Sequence, residues 1–313
     1  VTKTDDTKRI QTNLERINKA LSLHWYDLEI ADDELTDLQR RLADDPADER
    51  TIRMDKRNLY RVFNDPELQT GGRFYGGWWQ NIPKEYRHHL AVGGKPMVEL
   101  DYSNQHPSIL YAQAGELRPA DCYADVIPSS SLTYDVTEND IRNTVKAAFN
   151  AMLNSPRPLR QPPKGVKPDR LGLTWRELSE AILTSHEPIA HHFYTGVGLR
   201  LQRLDSDIAE IILLHFAEMG MAVLPLHDSF LMHHGYASWL KPVMEQAFEQ
   251  IVGATPIIDR KEKIQSRGVN EQILDPGKAK PVTTDVEALL ASFCGCDHRL
   301  HAFFALQDKR VRT

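Results

Sequence analysis

Two aspartates lie directly after short apolar runs that are typical of buried strands. Asp101 follows residues 98–100, V-E-L, and Asp228 follows residues 223–227, V-L-P-L-H. A carboxylate beside apolar strand residues is costly to bury unless a cation balances its charge. Two carboxylates that meet at neighbouring strand ends can hold two Mg²⁺ or Mn²⁺ ions about 3.5–4 Å apart and so support phosphoryl transfer. Alternatively, each aspartate caps a turn, which is the commoner role of a single Asp.

Two basic residues have a spacing that suits an anion. Arg142 and Lys146 are four residues apart in a segment with helical periodicity, so both side chains would point from one helix face. Residues 141–176 carry eight basic side chains and one acidic side chain, although the whole chain has a net charge of −6. This segment therefore faces an anion or forms a solvated loop.

The residues around the two aspartates resemble polymerase motifs. Residues 101–110, D-Y-S-N-Q-H-P-S-I-L, are similar to motif A, with a start like family A DNA polymerases and a continuation like family B. Residues 226–230, L-H-D-S-F, resemble motif C, most closely that of single-subunit phage-type RNA polymerases. Residues 142–146 keep the R-x-x-x-K spacing of motif B, and residues 202–208 keep the Q-x-x-x-x-D-I spacing of the helix before motif C. These motifs, in this order, resemble a family A-like palm over about residues 70–255.

The resemblance implies roles for the matched residues in metal and nucleotide binding. Asp101 and Asp228 would bind both metal ions, and the backbone carbonyl of Tyr102 would add an oxygen ligand of the kind that Mg²⁺ prefers. Arg142 and Lys146 would bind the triphosphate of the incoming nucleotide and neutralise the charge that develops on the leaving pyrophosphate.

The resemblance also bears on substrate choice and on nucleic-acid binding. Gln202 would contact the duplex near the primer end, and His227 would lie near the primer terminus unless it packs in its hairpin. His106 occupies the position of the bulky side chain that excludes a 2′-hydroxyl, which predicts the use of dNTPs. Asn154 replaces the aromatic residue that follows motif B in family A, so the stacking platform for the base pair is missing or is supplied by Phe149.

An aromatic, glycine-rich segment precedes these motifs. Residues 73–80, R-F-Y-G-G-W-W-Q, place Arg73 beside aromatic rings, which suits base stacking and phosphate binding. Alternatively, the two tryptophans pin the segment to the core. Arg87 is a further candidate phosphate ligand, and Lys84 is a weaker one.

Apolar periodicity indicates the elements that must position these groups. It predicts two antiparallel helices between residues 5 and 42, with further helices at 48–63, 107–114, 138–153, 175–194, 199–219 and 239–252. Strands are predicted at 97–101 and in a hairpin over 221–232, with Asp228 at its turn. Residues 73–80 and the proline-rich residues 156–167 are predicted to be loops.

These elements predict an α+β protein with the right-hand architecture of polymerases, built on a small antiparallel palm sheet packed by helices. Residues 1–70 would form an N-terminal helical region, a reduced thumb, and residues 71–255 a palm with short fingers at about 115–175. Residues 256–285 would be a linker and residues 286–313 a small helical appendage. The cysteines and histidines near the end resemble a zinc site without the usual finger spacing; they are Cys294, Cys296, His298 and His301.

The composition is that of an ordinary globular protein, with 41% hydrophobic and 26% charged residues. It excludes collagen-like, disulfide-scaffold and wholly disordered chains. No run approaches the roughly 18 apolar residues of a membrane span, the N-terminus lacks the apolar core of a signal peptide, and there are only three cysteines. We therefore expect a cytoplasmic protein without a membrane partner.

Together these features predict a compact, exonuclease-free nucleotidyltransferase, a DNA-directed DNA polymerase that extends a nucleic-acid 3′-hydroxyl with dNTPs. Its partners would be a primer–template, expected to be DNA, and nucleoside triphosphates, and its cofactor two Mg²⁺ or Mn²⁺ ions. The alternatives are a single-subunit-type RNA polymerase, a catalytically inactive nucleic-acid-binding palm protein and a metal-dependent phosphohydrolase. A DNA template, an RNA template and synthesis without a template all fit the sequence, as does any oligomeric state.

Overall fold

The fold is known from a computed structural model, which describes residues 4–44, 51–127, 136–261 and 299–305. The α-helices in chain order are α1 (Asp5–Ser22), α2 (Asp32–Asp44), α3 (Gln105–Ala114), α4 (Glu138–Asn154), α5 (Trp175–Ser185), α6 (Gly198–Glu218) and α7 (Ala237–Val252). Residues 299–305 are also helical. None of the helices in these ranges is both long enough and apolar enough to cross a membrane.

Antiparallel strands form a central sheet. The strands are β1 (Tyr26–Leu28), β2 (Tyr60–Phe63), β3 (Gly71–Tyr75), β4 (Leu90–Val92), β5 (Lys95–Tyr102), β6 (Val223–Leu226), β7 (Ser229–His233) and β8 (Ile258–Lys261). The sheet has the order β1-β4-β5-β7-β6, with β8 also paired to β5, whereas β2 and β3 form a separate ribbon. Helices therefore combine with an antiparallel sheet, and the predicted α+β class is confirmed.

Strand β5 is the centre of the sheet. One edge of it pairs with β7, and the other edge pairs with β4 near its start and with β8 near its end. Leu100 and Tyr102 are buried, while Glu99 and Asp101 are only partly buried. Because side chains alternate along a strand, the two acids share the face opposite to the buried residues.

Helix α4 begins at a capping box and presents a basic face. The Thr137 hydroxyl accepts from the Asp140 amide, and the Asp140 carboxylate accepts from the Thr137 amide. Arg142 and Lys146, one turn apart, lie outside the buried stripe of this helix, which consists of Ile141, Val145, Ala148, Phe149, Met152 and Leu153. The cap and the stripe together fix which side of α4 carries the two basic side chains.

Helix α1 packs against α6 and joins the rest of the chain. The Asn13 amide donates to Glu210 at 3.0 Å, and Arg16 forms an ion pair with Glu218 at 2.8 Å. Apolar side chains from both ends of the described chain, such as Ile17 and Phe248, belong to one core. Helix α6 thus packs against α1, and it also packs against β3 and α7.

The predicted helix over residues 48–63 is wrong. Residues 51–59 contain no helix, and residues 60–63 form β2, whose partner β3 occupies the start of the predicted loop at 73–80. Tyr, Val and Phe, which favour strands, dominate β2. Pairing with β3 (Tyr60 faces Tyr75) then stabilises the extended form.

Other boundaries also differ from the prediction. Residues 258–261, inside the predicted linker, form β8 at the edge of β5. Helix α5 ends at Ser185 rather than near 194, because Pro188 soon follows and residues 187–192 form a 3₁₀ helix. A short strand, β1, separates the two N-terminal helices and pairs with β4.

The remaining predicted elements are confirmed within a few residues. Helices α3, α4, α6 and α7, strand β5 and the β6–β7 hairpin occur where periodicity placed them. Residues 156–167 contain neither helix nor strand. Of the predicted appendage at 286–313, residues 299–305 are helical, while the proposed zinc ligands Cys294, Cys296 and His298 lie outside the described residues.

Candidate active site

The pairing of β5 with β7 brings Asp101 and Asp228 together. Asp101 faces Ser229, the first residue after Asp228, and the Tyr102 amide donates to the Asp228 carbonyl at 3.2 Å. The pKa of Asp101 is raised, mainly by burial and then by the charge of Asp228. The two carboxylates are therefore close enough for the charge of Asp228 to disfavour ionisation of Asp101.

A two-residue turn places Asp228 at the end of its hairpin. Leu226 and Ser229 pair across the turn, and His227 has a φ of +61°, in the left-handed region that few non-glycine residues adopt. The His227 ring lies 5.8 Å from the Tyr75 ring. Its pKa is lowered, mainly by the loss of hydration and then by Arg73. The strained turn thus holds a neutral imidazole beside the aspartate.

Helix α4 places its two basic side chains against Tyr123, and one of them acts on Asp101. The Arg142 guanidinium and the Lys146 amine lie 5.5 and 6.0 Å from the centre of the Tyr123 ring, so they share one face. The charge of Lys146 acts to lower the pKa of Asp101. Arg142 Nε donates to Asp121 at 2.6 Å. The predicted common face of Arg142 and Lys146 is therefore present, and Lys146 is the residue whose charge acts on Asp101.

Asp121 was not singled out from the sequence, because it precedes α4 in an irregular segment and only the tertiary structure brings it to Arg142. Burial acts to raise its pKa, but hydrogen bonds and the charge of Arg142 hold it below the usual value. Both partners are about one-third exposed, so a substrate anion can compete for this guanidinium. An arginine side chain carries four N–H groups besides Nε–H, which suits it to bind such an anion.

A buried acid, Asp205, organises the other side of the site. Arg73 Nε donates to Asp205 at 2.6 Å, and Arg73 Nη2 lies 3.4 Å from His106 Nε2. The Asp205 side chain is only 2% exposed, and burial raises its pKa despite Arg73. Asp205 in turn raises the pKa of Asp228, second only to burial. Arg73 therefore links the acid on α6 to the histidine on α3.

Sequence reasoning missed Asp205, although a signal for it exists. It lies between Leu201 and Ile208 on the apolar face of α6, four residues after the one and three before the other. An acid at such a position is costly unless it has a partner in the core. Its partner, Arg73, comes from a strand 132 residues away and could not be identified from periodicity.

His106 is a neutral, bulky group at the edge of the site. Its pKa is lowered from 6.5 to about 4, mainly by burial and then by Arg73, with Asp228 acting in the opposite direction. The imidazole is therefore uncharged at neutral pH, and it can accept a hydrogen bond from the Arg73 guanidinium. This arrangement holds the ring in place beside the carboxylates.

A small cavity lies between α6 and the hairpin. Its volume is about 10 Å³, close to the smallest space that holds one water molecule. Its polar lining comes from Arg73, Asp205, Ser206 and His227.

A lysine from β8 contacts the first aspartate directly. Lys261 Nζ lies 2.6 Å from Asp101 Oδ2. Glu99, two residues before Asp101, accepts from Ser229 Oγ at 2.7 Å and forms an ion pair with Arg87 at 3.5 Å. Neither residue was identified from the sequence. Lys261 was missed because β8 fell inside a predicted linker, and Glu99 was missed because its partners come from distant parts of the chain.

Other predicted site residues lie elsewhere. Phe149 is fully buried, with its ring against Tyr123, His186 and Phe193, so the expectation that it stacks on a base pair is wrong. Its side chain points into the core because it belongs to the buried stripe of α4. Gln202 is half-buried on α6, three residues before Asp205.

The two tryptophans of the aromatic segment are core residues. Trp78 and Trp79 are buried, and Trp79 Nε1 donates to the Pro225 carbonyl at 3.2 Å. Of the two interpretations of this segment, pinning to the core is therefore the one that the structure supports. Arg73 is separate from them, since it faces Asp205 and His106.

The carboxylate pair has the chemistry of an oxygen-ligand cation site. Asp101 and Asp228 are partly buried and repel each other, and carboxylate oxygens are the ligands that Mg²⁺ and Mn²⁺ prefer. Among the residues that the structure describes, no group of three or more His, Cys, Asp or Glu side chains is placed to hold a metal. The protein thus offers two carboxylates, and further ligands would come from carbonyls, water or substrate.

The chain is similar to solved structures but not to a protein-family model. No protein-family model and no curated protein matches the chain. Among solved structures, it is similar to the POL domain of Pol1 from M. smegmatis in complex with DNA primer-template and dNTP, with a TM-score of 0.42 and 12% sequence identity. The match covers 82% of this chain and 50% of the other, so the chain spans about half the length of that protein.

Proposed function

We propose that the protein is a nucleotidyltransferase that extends a nucleic-acid 3′-hydroxyl with deoxynucleotides, as a DNA polymerase does. The observation that carries this proposal is the meeting of Asp101 and Asp228 on paired strands, with Lys146 acting on Asp101 from the opposite helix. The four motifs that resemble polymerase motifs A, B and C and the preceding helix support the same reaction. The central sheet would be the palm, residues 115–175 short fingers and the N-terminal helices a reduced thumb.

Asp101 and Asp228 would hold two Mg²⁺ or Mn²⁺ ions, with the Tyr102 carbonyl as an additional ligand. When bound, such ions lower the pKa of the attacking hydroxyl and neutralise the leaving pyrophosphate. The 3′-hydroxyl would lose its proton to solvent water, its oxygen would form a bond to the α-phosphorus, and the bond from that phosphorus to the bridging oxygen would break and release pyrophosphate. The aspartates orient the reacting groups in a partly buried site, where electrostatic interactions are stronger than in water.

Lys146 and Arg142 would bind the triphosphate. Both lie on one face of α4 against Tyr123, which limits the freedom of their side chains before the substrate arrives. Arg142 keeps donors beyond Nε for phosphate oxygens while Nε stays on Asp121. The exposed basic side chains of residues 157–170 extend this positive surface.

His106 would exclude the 2′-hydroxyl of a ribonucleotide. It is uncharged, and Arg73 holds it through a contact that is itself fixed by buried Asp205. A rigid ring discriminates by size better than a mobile side chain, because the ring cannot move aside at low cost. Gln202, His227 and Arg87 would contact the primer–template around this centre.

The decisive experiment combines the purified protein with a primer–template, Mg²⁺ or Mn²⁺ and labelled dNTPs or NTPs, on DNA and RNA templates. We expect dNTP incorporation that is lost in Asp101→Asn and Asp228→Asn and retained in Asp37→Asn, an exposed acid on α2. Preference for NTPs would instead indicate an RNA polymerase. Duplex binding without incorporation would indicate an inactive palm protein, and release of phosphate or pyrophosphate without chain growth a phosphohydrolase.

A further inference from the structure

Lys261 is placed where the carboxylate pair needs a positive charge. Its Nζ lies 2.6 Å from Asp101 Oδ2, within ion-pair distance of one of the two proposed metal ligands. The pairing of β8 with β5 sets Lys261 opposite Glu99 and one diagonal step from Asp101. At that diagonal separation a long side chain reaches its neighbour on the next strand.

The contact differs from an ordinary surface ion pair. The Lys261 side chain is 43% exposed, whereas that of Asp101 is only 20% exposed and lies beside a second carboxylate. A half-buried acid next to another acid requires a counter-charge, and a nearby lysine amine can supply it. Lys146 also acts on Asp101, but no contact as short as that of Lys261 joins it to the carboxylate.

A divalent cation and the Lys261 ammonium group carry like charges, so they compete for the same carboxylate. A Mg²⁺ ion binds its ligand oxygens at about 2.0–2.1 Å, so an ammonium group that stayed on Asp101 would lie close to the ion and repel it. The half-exposed side chain has room to swing towards solvent when it is displaced. The free energy of breaking the ion pair would then be subtracted from that of cation binding.

We propose that Lys261 is the built-in counter-ion of the Asp101–Asp228 pair and that the first divalent cation must displace it. Lys261 thereby sets the concentration at which the site fills with metal. This inference rests on the proposed function only in taking Asp101 and Asp228 as cation ligands. It concerns a residue outside the motif resemblance and needs neither nucleotide nor nucleic acid.

The test measures Mn²⁺ binding to the protein alone, and the electron paramagnetic resonance signal of free Mn²⁺ reports how much has bound. Replacing the lysine with an uncharged residue of similar length, Lys261→Met, should tighten Mn²⁺ binding roughly fivefold, which corresponds to a partly exposed ion pair. Lys261→Arg should stay within about twofold of the wild type, because the charge remains. Lys95→Met, at the other end of β5, is the matched control and should bind like the wild type.

A second measurement does not depend on removing the charge. Reductive ¹³C-methylation makes lysine amines visible by nuclear magnetic resonance, and Lys261→Arg identifies the signal of Lys261 by its loss. Addition of Mg²⁺ to the wild type should move this signal towards that of a solvent-exposed lysine. A signal that does not move while Mg²⁺ binds would overturn the proposal.

Failure of the inference and failure of the proposed function give different results. If Mn²⁺ binding depends on Asp101 and Asp228 but Lys261→Met binds like the wild type or more weakly, Lys261 is not the displaced counter-ion. If Asp101→Asn and Asp228→Asn leave Mn²⁺ binding unchanged, the carboxylate pair is not the cation site, and the proposed function fails together with this inference.

Discussion

At the scale of single residues, the acidic side chains of the site repel one another. Asp101, Asp228 and Asp205 all have raised pKa values, and burial is the main cause in each case. Their surroundings supply positive charge from Arg73 and Lys261, each through one short contact. Active sites commonly tolerate such repulsion because the same groups bind a cation or substrate.

Replacing Asp228 should separate stability from activity. The folded pKa of Asp228 lies above its unfolded value. The free energy of unfolding therefore falls as pH rises from the unfolded pKa to the folded pKa, and ionised Asp228 destabilises the native state at pH 7. Asp228→Asn should therefore increase the free energy of unfolding at pH 7. Urea denaturation measures this quantity, and primer extension by the same variant should be absent.

Asp101→Asn is the matched comparison for this effect. Its replacement leaves Lys261 without its ion-pair partner, so we expect a smaller gain in stability or none. Equal destabilisation by both variants would contradict repulsion between the acidic side chains of the site.

His106 makes the opposite contribution to pH dependence. With a folded pKa of about 4 against an unfolded value of 6.5, its stabilising contribution is complete above pH 6.5 and is lost as pH falls towards 4. Between pH 7 and pH 5, the wild type should lose about 2 kcal/mol more unfolding free energy than His106→Gln, which cannot titrate. Denaturation at the two pH values measures the difference, and equal losses would mean that the ring is not held neutral.

At the scale of elements, the pairing of β5 with β7 and β8 places the charged side chains of the site next to one another. Strand β5 carries Asp101, and the register of β7 determines that Asp228 arrives next to it; a shift by one residue would send the neighbouring side chains to opposite faces. Strand β8 adds Lys261 from a segment that reads as irregular in the sequence. Edge strands of four residues leave little periodic signal, so tertiary pairing decides them.

Helix α4 separates a basic face from a core face, and Phe149 tests that assignment. Phe149→Leu should lower the free energy of unfolding by about 1–2 kcal/mol, because a smaller apolar side chain underfills the core. Its apparent KM for dNTPs should stay within about twofold of the wild type. Steady-state primer extension measures KM, and a large rise with little loss of stability would restore the stacking role.

At the scale of the whole molecule, charge is distributed unevenly around one core. The net charge is −6, yet residues 141–176 carry eight basic side chains and one acidic side chain. Several of these basic side chains, including Arg157, Lys164 and Lys167, are exposed in the irregular segment after α4. This places a positive surface on the chain segment that continues from the Arg142–Lys146 face.

Binding of a primer–template should accordingly depend strongly on salt. We expect affinity to fall steeply with rising NaCl, and the combined variant Lys164→Gln with Lys167→Gln to reduce the log–log slope by about 1–2. Fluorescence anisotropy of a labelled duplex measures both slopes. Lys241→Gln, which changes an exposed lysine on α7, is the control. If the Lys164→Gln and Lys167→Gln double variant leaves the slope unchanged, the irregular segment after α4 is a solvated loop that does not bind the nucleic acid.

The sequence by itself determined the long elements and the candidate site residues. The helices at Gln105–Ala114, Glu138–Asn154 and Gly198–Glu218 follow from apolar periodicity, since a buried stripe must repeat with the helical turn. Asp101 and Asp228 stood out because a carboxylate beside an apolar run is costly to bury without a partner. Arg142 and Lys146 stood out because their four-residue spacing places them on one helix face.

Only the tertiary structure decided which partners those groups have. Asp205 with Arg73, Lys261 with Asp101 and Ser229 with Glu99 are pairs separated by more than 100 residues along the chain, and no local pattern encodes them. It also decided that Phe149 is a core residue and that residues 60–63 are a strand. Local propensity is weak compared with the free energy of burial and of strand pairing, and those contributions exist only once the chain has folded.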